Sequence, residues 1–228
     1  IYSMPQKKQR RHTCMNKDIA ICVQNGMLRI KNHIIFNDVQ LQVQYGEICG
    51  LHGRNGSGKT MLLRCIAGIL PLTSGKIIVG NKIIKKEIDF APQASFAFDS
   101  TAFIPEYSGR DNLRFLASIR KIASDRDICT MMINVGLDPE DNKKVGKYSR
   151  GMIQRLNIAQ TFLENPRIVL LDEPMNALDS EGVKMLRNLL HKFAAQGGSV
   201  VISSHYQEDF QNLCTFVYSM ESAHCYKD

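Results

Sequence analysis

The chain has 228 residues, 44% of them apolar, and a formal net charge of +7. This length allows one large domain or a core with an insertion, and the apolar fraction suffices for a sizeable buried core. No apolar run approaches the roughly 20 residues of a membrane-spanning helix, and no apolar stretch follows the charged N-terminus, so no secretory signal is expected. The seven cysteines form no C-x-x-C pair and no metal-ligand spacing, so we expect reduced thiols, as in a cytosolic protein.

The positive charge is concentrated near the N-terminus. Four of the +7 charges, Lys7, Lys8, Arg10 and Arg11, lie there, which leaves an ordinary +3 for the rest of the chain. This segment lacks hydrophobic periodicity, so we expect residues 1–15 to form a disordered, solvated tail rather than a nucleic-acid-binding arm. Nucleic acid is therefore not an expected partner.

The first structured stretch has the pattern of short β-strands. Ile19–Val23 is apolar and rich in β-branched residues, Asn25-Gly26 is a turn signal, and Met27–Ile30 follows. Val39–Gln44 alternates apolar and polar side chains, as a half-buried strand does. These segments predict a small antiparallel sheet that precedes the main core.

A glycine-rich motif follows the next short apolar strand. Residues Gly53–Thr60 read G-x-x-x-x-G-K-T, the Walker A sequence of a phosphate-binding loop. Glycines let backbone N–H groups converge on phosphate oxygens, and the helix predicted over Met61–Leu70 adds the positive end of its dipole. Lys59 can then reach the β- and γ-phosphates, and the Thr60 hydroxyl can ligate Mg²⁺.

The middle of the chain changes from strands to helices. A hairpin around Gly80-Asn81 comes first, then a predicted strand at Ile88–Ala91 followed by Pro92-Gln93. Three segments then have helical spacing, namely Gly109–Ile119, Ser124–Val135 and a third from about Ser149. We interpret residues 94–159 as a helical insertion into an α/β core.

Buried strands alternate with helices in the last third of the chain. The predicted elements are the strands Arg167–Asp172, Ser199–Ser203 and Phe216–Tyr218 and the helices Ser180–Gln196 and Gln207–Leu213. Asp172-Glu173 ends the first of these strands, at the sheet edge where a phosphate loop also lies. Asp172 would hold Mg²⁺ directly or through water, and Glu173 could polarise an attacking water.

Six motifs in a fixed order give the chain a resemblance to a known family. From about Asn16 onward it resembles the nucleotide-binding subunit of an ATP-binding-cassette (ABC) transporter. The motifs are Walker A at Gly53–Thr60, the Q-loop glutamine Gln93, a signature-like Tyr148–Arg155, Walker B at Leu170–Pro174, the D-loop Asn176–Asp179 and the switch histidine His205. The resemblance implies an α/β fold over residues 16–228: a P-loop NTPase core with a mixed sheet, an N-terminal antiparallel β subdomain and a helical insertion.

The resemblance also implies that two cassettes close head to tail around two ATP molecules, with Mg²⁺ as cofactor. The phosphate loop would contribute Gly53, Asn55, Gly56, Ser57, Gly58, Lys59 and Thr60. The signature helix tip of the facing cassette, with Ser149 and Gly151, would offer a second anion site, and Asp179 completes the binding set. The catalytic residues would be Glu173, His205 and Gln93, and the metal ligands Thr60, Gln93 and Asp172.

Three positions depart from the usual sequence of the family. The signature has Arg150 and Met152 where Ser-Gly-Gly-Gln is usual, and we expect the Arg150 side chain to face solvent. Ile30 occupies the place of an aromatic residue that stacks on adenine, so ring stacking is lost. The altered signature and the segment Tyr107–Leu113 are similar to cassettes of peptide-antibiotic resistance and sodium-export systems, which favours export.

These features predict an ATPase subunit, peripheral on the cytoplasmic face of the membrane, that powers separate transmembrane permease subunits. The alternative is a soluble ABC-type ATPase that acts on nucleic acid or the ribosome. DNA-repair relatives carry a long coiled coil between Walker A and the signature, whereas residues 61–147 lack sustained heptads, and ribosomal relatives carry two cassettes per chain. A non-hydrolysing binding module would lack Glu173 or His205, and both are present.

Overall fold

The fold joins an antiparallel sheet to a larger, mostly parallel one. A computed structural model describes residues 18–98 and 103–228. The antiparallel sheet has the order β2-β1-β4-β5. Its strands are β1 (Ile19–Ile30), β2 (His33–Gln44), β4 (Ser74–Val79) and β5 (Lys82–Ile83). The predicted N-terminal antiparallel sheet and the hairpin around Gly80-Asn81 are therefore confirmed.

The central sheet has six strands in the order β10-β9-β3-β8-β7-β6. They are β3 (Ile48–His52), β6 (Ala94–Ala97), β7 (Ile168–Asp172), β8 (Ser199–Ser204), β9 (Phe216–Glu221) and β10 (His224–Lys227). All neighbouring pairs are parallel except β9 and β10, so the sheet is mixed, as predicted. Strands β7 and β8 are buried along their whole length, which explains the apolar runs Ile168–Leu171 and Val200–Ile202 within them.

Five α-helices complete the described residues. They are α1 (Lys59–Ala67), α2 (Gly109–Arg120), α3 (Asp125–Asn134), α4 (Arg150–Phe162) and α5 (Ser180–Ala195). Side-chain oxygens of Ser108, Ser124, Ser149 and Asp179 cap the N-termini of the last four helices. Helix α1 ends earlier than predicted because Gly68 takes a left-handed conformation at its C-terminus.

Two hydrophobic cores lie on opposite faces of the central sheet. One contains α1 and the antiparallel sheet, with Phe36, Leu62 and Ile66 packed together. The other packs α2 to α5 against the sheet through residues such as Leu113 and Leu156. Because alternate residues of one strand face opposite sides, β8 contributes to both cores, and its carboxyl end is held rigidly between them.

Strand β1 differs from its prediction. The sequence predicted two short strands separated by a turn at Asn25-Gly26, whereas the structure has one strand with a register shift between Val23 and Gly26. Asn25 takes a positive φ of 50°, so the extra residue is absorbed as a bulge and the chain does not reverse. Pairing with β2 on one side and β4 on the other keeps β1 continuous.

The predicted strand at Ile88–Ala91 is wrong. Ile88 makes only an isolated bridge to Ile84, and the strand that joins the central sheet is β6, which begins at Ala94. The helical insertion therefore starts after β6 rather than at residue 94, because Ala94–Ala97 belongs to the core sheet. The predicted helix Gln207–Leu213 is a single 3₁₀ turn over Gln207–Phe210.

The cysteines also differ in part from expectation. Cys22 is disulfide-bonded, whereas Cys49, Cys65, Cys129, Cys214 and Cys225 are free thiols. Burial raises the pKa of Cys65 and of Cys214 to about 12, so these two behave as packed apolar residues rather than nucleophiles. The predicted tail over residues 1–15 lies outside the described residues. Within residues 18–98 and 103–228, no helix is long and apolar enough to cross a membrane.

Candidate active site

The predicted phosphate loop connects β3 to α1 and depends on its glycines. Gly56 and Gly58 have positive φ angles of 82° and 103°, which other residues adopt with strain. A Cβ atom at Gly53 would lie 2.6 Å from both the Met220 carbonyl oxygen and Ser57 Oγ, so a side chain has no room there. The buried Ser57 Oγ has no hydrogen-bond partner within the described residues, so the cradle has a polar group available for an anion.

Lys59 is the first residue of α1 and only 5% exposed. Its ammonium donates hydrogen bonds to the carbonyl oxygens of Gly53 (2.7 Å) and Arg54 (3.3 Å). The same Nζ lies 3.2 Å from Oε1 of Glu173. The lysine therefore links the two ends of the phosphate loop and brings a positive charge to the Glu173 carboxylate.

The two side chains that the sequence predicted as metal ligands, Thr60 and Asp172, lie next to each other beside the phosphate loop. Thr60 Oγ1 donates a hydrogen bond to Asp172 Oδ2 over 2.7 Å, and Ser203 donates another to the second oxygen of the same carboxylate. A hydroxyl and a carboxylate are hard oxygen ligands of the kind that Mg²⁺ prefers. The described residues contain no metal-binding cluster of three or more His, Cys, Asp or Glu, so Mg²⁺ here would also need water and phosphate ligands.

Glu173 lies between Lys59 and His205, the predicted switch histidine. Its Oε2 lies 2.8 Å from Nδ1 of His205, while its other oxygen faces Lys59. The Glu173 backbone has a positive φ of 48°, and its N–H donates to Ser203 Oγ and to the Ser203 carbonyl oxygen. A strained residue fixed by its neighbours at a sheet edge is typical of a functional site. One carboxylate thus joins the phosphate loop of the fold to the end of β8.

The signature residues lie on a separate surface. Ser149 caps α4, and its Oγ accepts a hydrogen bond from the Met152 N–H at 3.2 Å. Arg150 is exposed to solvent, as predicted. Among the described residues, no hydrogen bond or ion pair joins Ser149 or Gly151 to the phosphate loop. Within one chain, the structure does not bring these residues to the site formed by Lys59, Asp172 and Glu173.

Asp179 caps α5 and is tied to the signature helix. It accepts a hydrogen bond from the Gly182 N–H at 2.8 Å and forms an ion pair with Arg155 at 2.9 Å. The backbone hydrogen bond from Gly182, together with the positive charge of Arg155, lowers the pKa of the Asp179 carboxyl group. The carboxylate is therefore held in its charged form at a helix N-terminus.

Gln93 does not belong to the site, and its predicted roles in catalysis and metal binding are wrong. Its carbonyl oxygen accepts hydrogen bonds from the N–H groups of Arg167 and Ile168, at the amino end of β7. Asp172 ends the same strand, so Gln93 lies about 15 Å away, at the opposite edge of the sheet. The error follows from the misplaced strand, because β6 begins after Gln93 and not before it. The carboxyl end of β6 is followed by residues 99–102, which lie outside the described ranges.

The position expected to face adenine is aliphatic and open to solvent. Ile30 is 40% exposed and pairs with His33 across the β1–β2 hairpin. Strand β2 lies close to the phosphate loop, because a Cβ at Gly58 would lie 3.1 Å from the Ile35 side chain. An aliphatic surface is therefore available near the loop, and no aromatic ring occupies position 30.

Ser203 is a site residue that the sequence analysis missed. It is fully buried at the end of β8, and its register partner on β7 is Asp172. Its hydroxyl donates to the Asp172 carboxylate and accepts from the Glu173 N–H, so it orients both acidic residues. The only sequence signal was a serine that ends an apolar strand just before His205.

Replacing Ser203 with alanine is expected to reduce ATP hydrolysis by at least about tenfold, because an orienting contact to Asp172, the predicted metal ligand, is lost. The free energy of unfolding should fall by about 1–2 kcal/mol. Ser199 is the matched control: it is buried on the same strand and donates to the Gln44 carbonyl oxygen at the opposite end. Phosphate release and urea unfolding test this; equal activity in Ser203→Ala and Ser199→Ala would contradict the assigned role.

The fold and this geometry define a nucleotide-binding α/β protein with a Walker A loop, and comparisons with known proteins identify the family. Residues 36–176 match the ABC transporter family. The chain is 39% identical over 198 residues to the ABC transporter ATP-binding protein YybJ of Bacillus subtilis, covering 87% of this chain and 91% of YybJ. The chain belongs to the ABC transporter family and is an ATPase of its ATP-binding type.

Two further relatives carry transport names. The bacitracin transport ATP-binding protein BcrA of Bacillus licheniformis is 36% identical over 181 residues, which cover 78% of this chain but only 59% of BcrA. The lantibiotic transport ATP-binding protein SrtF of Streptococcus pyogenes is 29% identical over 199 residues, with 84% of this chain and 85% of SrtF covered. The chain thus spans little more than half the length of BcrA and most of SrtF.

Solved structures agree on the fold. The ATP-binding subunit of an ABC transporter has a TM-score of 0.83 at 20% identity, covering 92% of this chain and 89% of that one. A dimeric ATP-binding cassette in a post-hydrolysis state, bound to ADP and phosphate, has a TM-score of 0.80 at 21% identity, with 91% and 97% covered. The predicted α/β cassette fold is confirmed.

Proposed function

We propose that this ATPase powers a separately encoded membrane exporter. The observation that carries the proposal is the arrangement around Glu173, whose carboxylate contacts both Lys59 of the phosphate loop and His205. These three groups lie at the carboxyl edge of the central sheet, beside the Thr60–Asp172 pair. Together they provide a phosphate-binding cation, a general base and metal ligands in one place.

The residues divide the chemistry of hydrolysis among them. The loop from Gly53 to Thr60 binds the triphosphate through backbone N–H groups, and the Lys59 ammonium moves from its carbonyl partners to the β- and γ-phosphates. Thr60 and Asp172 would hold Mg²⁺, which when bound neutralises part of the phosphate charge. Entry of the γ-phosphate separates Lys59 from Glu173, and the freed carboxylate accepts a proton from the attacking water. His205 donates a hydrogen bond to the γ-phosphate and holds Glu173 in orientation.

A second copy of the cassette completes each site. Ser149 and Gly151 lie on the signature surface, which has no contact with the chain's own phosphate loop among the described residues. The N-terminus of α4 is exposed at Arg150, and the first backbone N–H groups of a helix are suited to the γ-phosphate bound by the other copy. Asp179, which caps α5 and pairs with Arg155 of α4, belongs to the same interface. The dimeric cassette of similar fold supports this arrangement.

The names of the relatives support a role in transport. BcrA is named for bacitracin transport and SrtF for lantibiotic transport, and both cargoes are peptide antibiotics. We propose separate transmembrane permease subunits as partners, and a position on the cytoplasmic face of the membrane, where ATP is supplied.

A copurification experiment tests the partner. The tagged chain is purified with MgATP from detergent-solubilised membranes and, separately, from the soluble fraction of the cells that make it. We expect a polypeptide with several membrane-spanning segments in stoichiometric amount, and reconstitution of the two in liposomes should stimulate phosphate release. Recovery with ribosomes or nucleic acid and no membrane protein would contradict the proposal and favour the alternative of a soluble ATPase acting on those partners.

A further inference from the structure

The loop over residues 174–179, here called the connecting loop, lies across the first two turns of the signature helix α4. Gln154 Nε2 donates a hydrogen bond to the Pro174 carbonyl oxygen over 2.9 Å. One turn earlier, a Cβ at Gly151 would lie 3.1 Å from the Ala177 carbonyl oxygen. Positions three residues apart lie on one face of a helix, so Gly151 and Gln154 both face the connecting loop. Gln154 contacts the first residue of the loop, and Gly151 lies against its middle.

Arg155 holds the far end of the connecting loop. Its guanidinium donates to Asp179 Oδ1 over 2.9 Å and to the Val135 carbonyl oxygen, at the end of α3, over 2.8 Å. Two glycines make room for it: a Cβ at Gly136 would lie 2.5 Å from one terminal nitrogen, and a Cβ at Gly182 3.1 Å from the other. The arginine therefore occupies a fitted slot between α3, α4 and α5, and its side chain is only 17% exposed.

The two ends of the connecting loop serve different ATP sites. Glu173, directly before Pro174, contacts the chain's own Lys59. Ser149 and Gly151, on the same helix as Gln154 and Arg155, face the nucleotide of the second copy. Two consecutive side chains of α4 thus join the hydrolytic carboxylate of one site to the phosphate-binding helix tip of the other.

We propose that Gln154 and Arg155 are positioning residues that clamp the connecting loop to α4 and thereby fix Glu173 for hydrolysis; this inference rests on the proposed function. Glu173 has a positive φ, and two hydrogen bonds hold the backbone around it. The Glu173 N–H donates to Ser203 Oγ, and the carbonyl oxygen of the next residue, Pro174, accepts from Gln154. When the clamp is loosened, the carboxylate shifts relative to the γ-phosphate, and small displacements of a reacting group reduce the rate strongly. Neither clamp residue contacts the phosphate loop, so nucleotide binding should change little.

Arg155→Lys tests the clamp, because lysine keeps the charge but cannot reach both Asp179 and Val135 with one planar fork. Arg110→Lys is the matched control. Arg110 also forms two ion pairs, with Asp125 and Glu140, its side chain is 20% exposed, and it lies in the helical region with no contact to the connecting loop. We expect Arg155→Lys to lower kcat by about tenfold with MgATP affinity within about twofold, and Arg110→Lys to leave both unchanged.

Two measurements separate positioning from general destabilisation. Amide hydrogen exchange in peptides covering residues 174–179 should be faster in Arg155→Lys than in Arg110→Lys or the wild type. Gln154→Glu removes the donor to Pro174 without changing side-chain size, and it should also lower kcat with little change in MgATP affinity. This second variant tests the clamp if Arg155→Lys fails to fold.

The outcomes distinguish this inference from the proposed function. If the wild type hydrolyses ATP and the clamp variants have the same kcat as Arg110→Lys, the clamp is overturned and the proposed function stands. A parallel loss of MgATP affinity and kcat would also overturn it, because the residues would then support binding rather than positioning. A wild type that neither hydrolyses ATP nor dimerises with it would overturn both.

Discussion

Replacing Glu173 with glutamine is expected to reduce kcat for ATP hydrolysis by at least about a hundredfold while ATP still binds. Glutamine keeps the size of the side chain but cannot accept the proton of the attacking water. The change also removes the carboxylate that contacts the Lys59 ammonium in the nucleotide-free chain. The lysine therefore no longer has to leave an anionic partner when the γ-phosphate arrives, so MgATP affinity should be equal or higher.

The same variant is expected to accumulate as an ATP-bound dimer, because closure depends on ATP and opening depends on hydrolysis. Phosphate release gives kcat, and size-exclusion chromatography with MgATP gives the oligomeric state. Glu181→Gln is the control, since Glu181 is an exposed carboxylate in the first turn of α5 that is not part of the site. A Glu173→Gln variant that stays monomeric in MgATP and turns over normally would exclude Glu173 as the general base.

The predicted site residues that the structure brings together are encoded by local sequence patterns. Gly53–Thr60 forms its loop from its own glycines and the start of α1, and Asp172 ends a buried strand with Glu173 directly after it. A local pattern fixes the backbone in such cases, so spacing alone identifies the residues. The antiparallel sheet and α4 were also predictable, because alternation and helical spacing extend over several residues.

The parts that the sequence could not predict depend on strand pairing. Ile88–Ala91 and Ala94–Ala97 are both short and largely apolar, and only the second pairs with β7. Which of the two segments pairs with β7 decides on which edge of the sheet Gln93 lies. The motif pattern does not indicate which segment pairs. At Asn25-Gly26, the local turn signal was outweighed by pairing of β1 with strands on both sides.

Contacts between distant segments were equally inaccessible to sequence patterns. Ser203 orients Asp172 only because β7 and β8 pair in a register that places the two residues opposite each other. Arg155 reaches Asp179 and Val135 because α3, α4 and α5 meet at two glycines. Ser203 lies outside the motifs, and Arg155 ends the signature-like segment Tyr148–Arg155, but in both cases the motif pattern does not show which distant residues the side chain contacts.

Replacing Lys59 with alanine is expected to weaken ATP binding by about ten- to a hundredfold and to remove measurable hydrolysis, because a charged hydrogen-bond donor to the phosphates is lost. Isothermal titration calorimetry and phosphate release measure the two effects. Lys184→Ala, which removes an exposed lysine from α5, is the control for the change of net charge. ATP affinity equal to that of the control would contradict the phosphate-binding role of Lys59.

A second consequence concerns the loop before ATP binds. The Lys59 ammonium holds the Gly53 and Arg54 carbonyl oxygens and is the cation beside Glu173. Its removal leaves a partly buried carboxylate that contacts His205 Nδ1 and accepts a hydrogen bond from the Asn176 amide but has lost the ammonium charge beside it. The Lys59→Ala chain should therefore be less stable than the Lys59→Ala/Glu173→Gln double variant. Thermal unfolding without nucleotide measures this difference; equal stability would mean that the Glu173 carboxylate does not destabilise the free state when the Lys59 ammonium is absent.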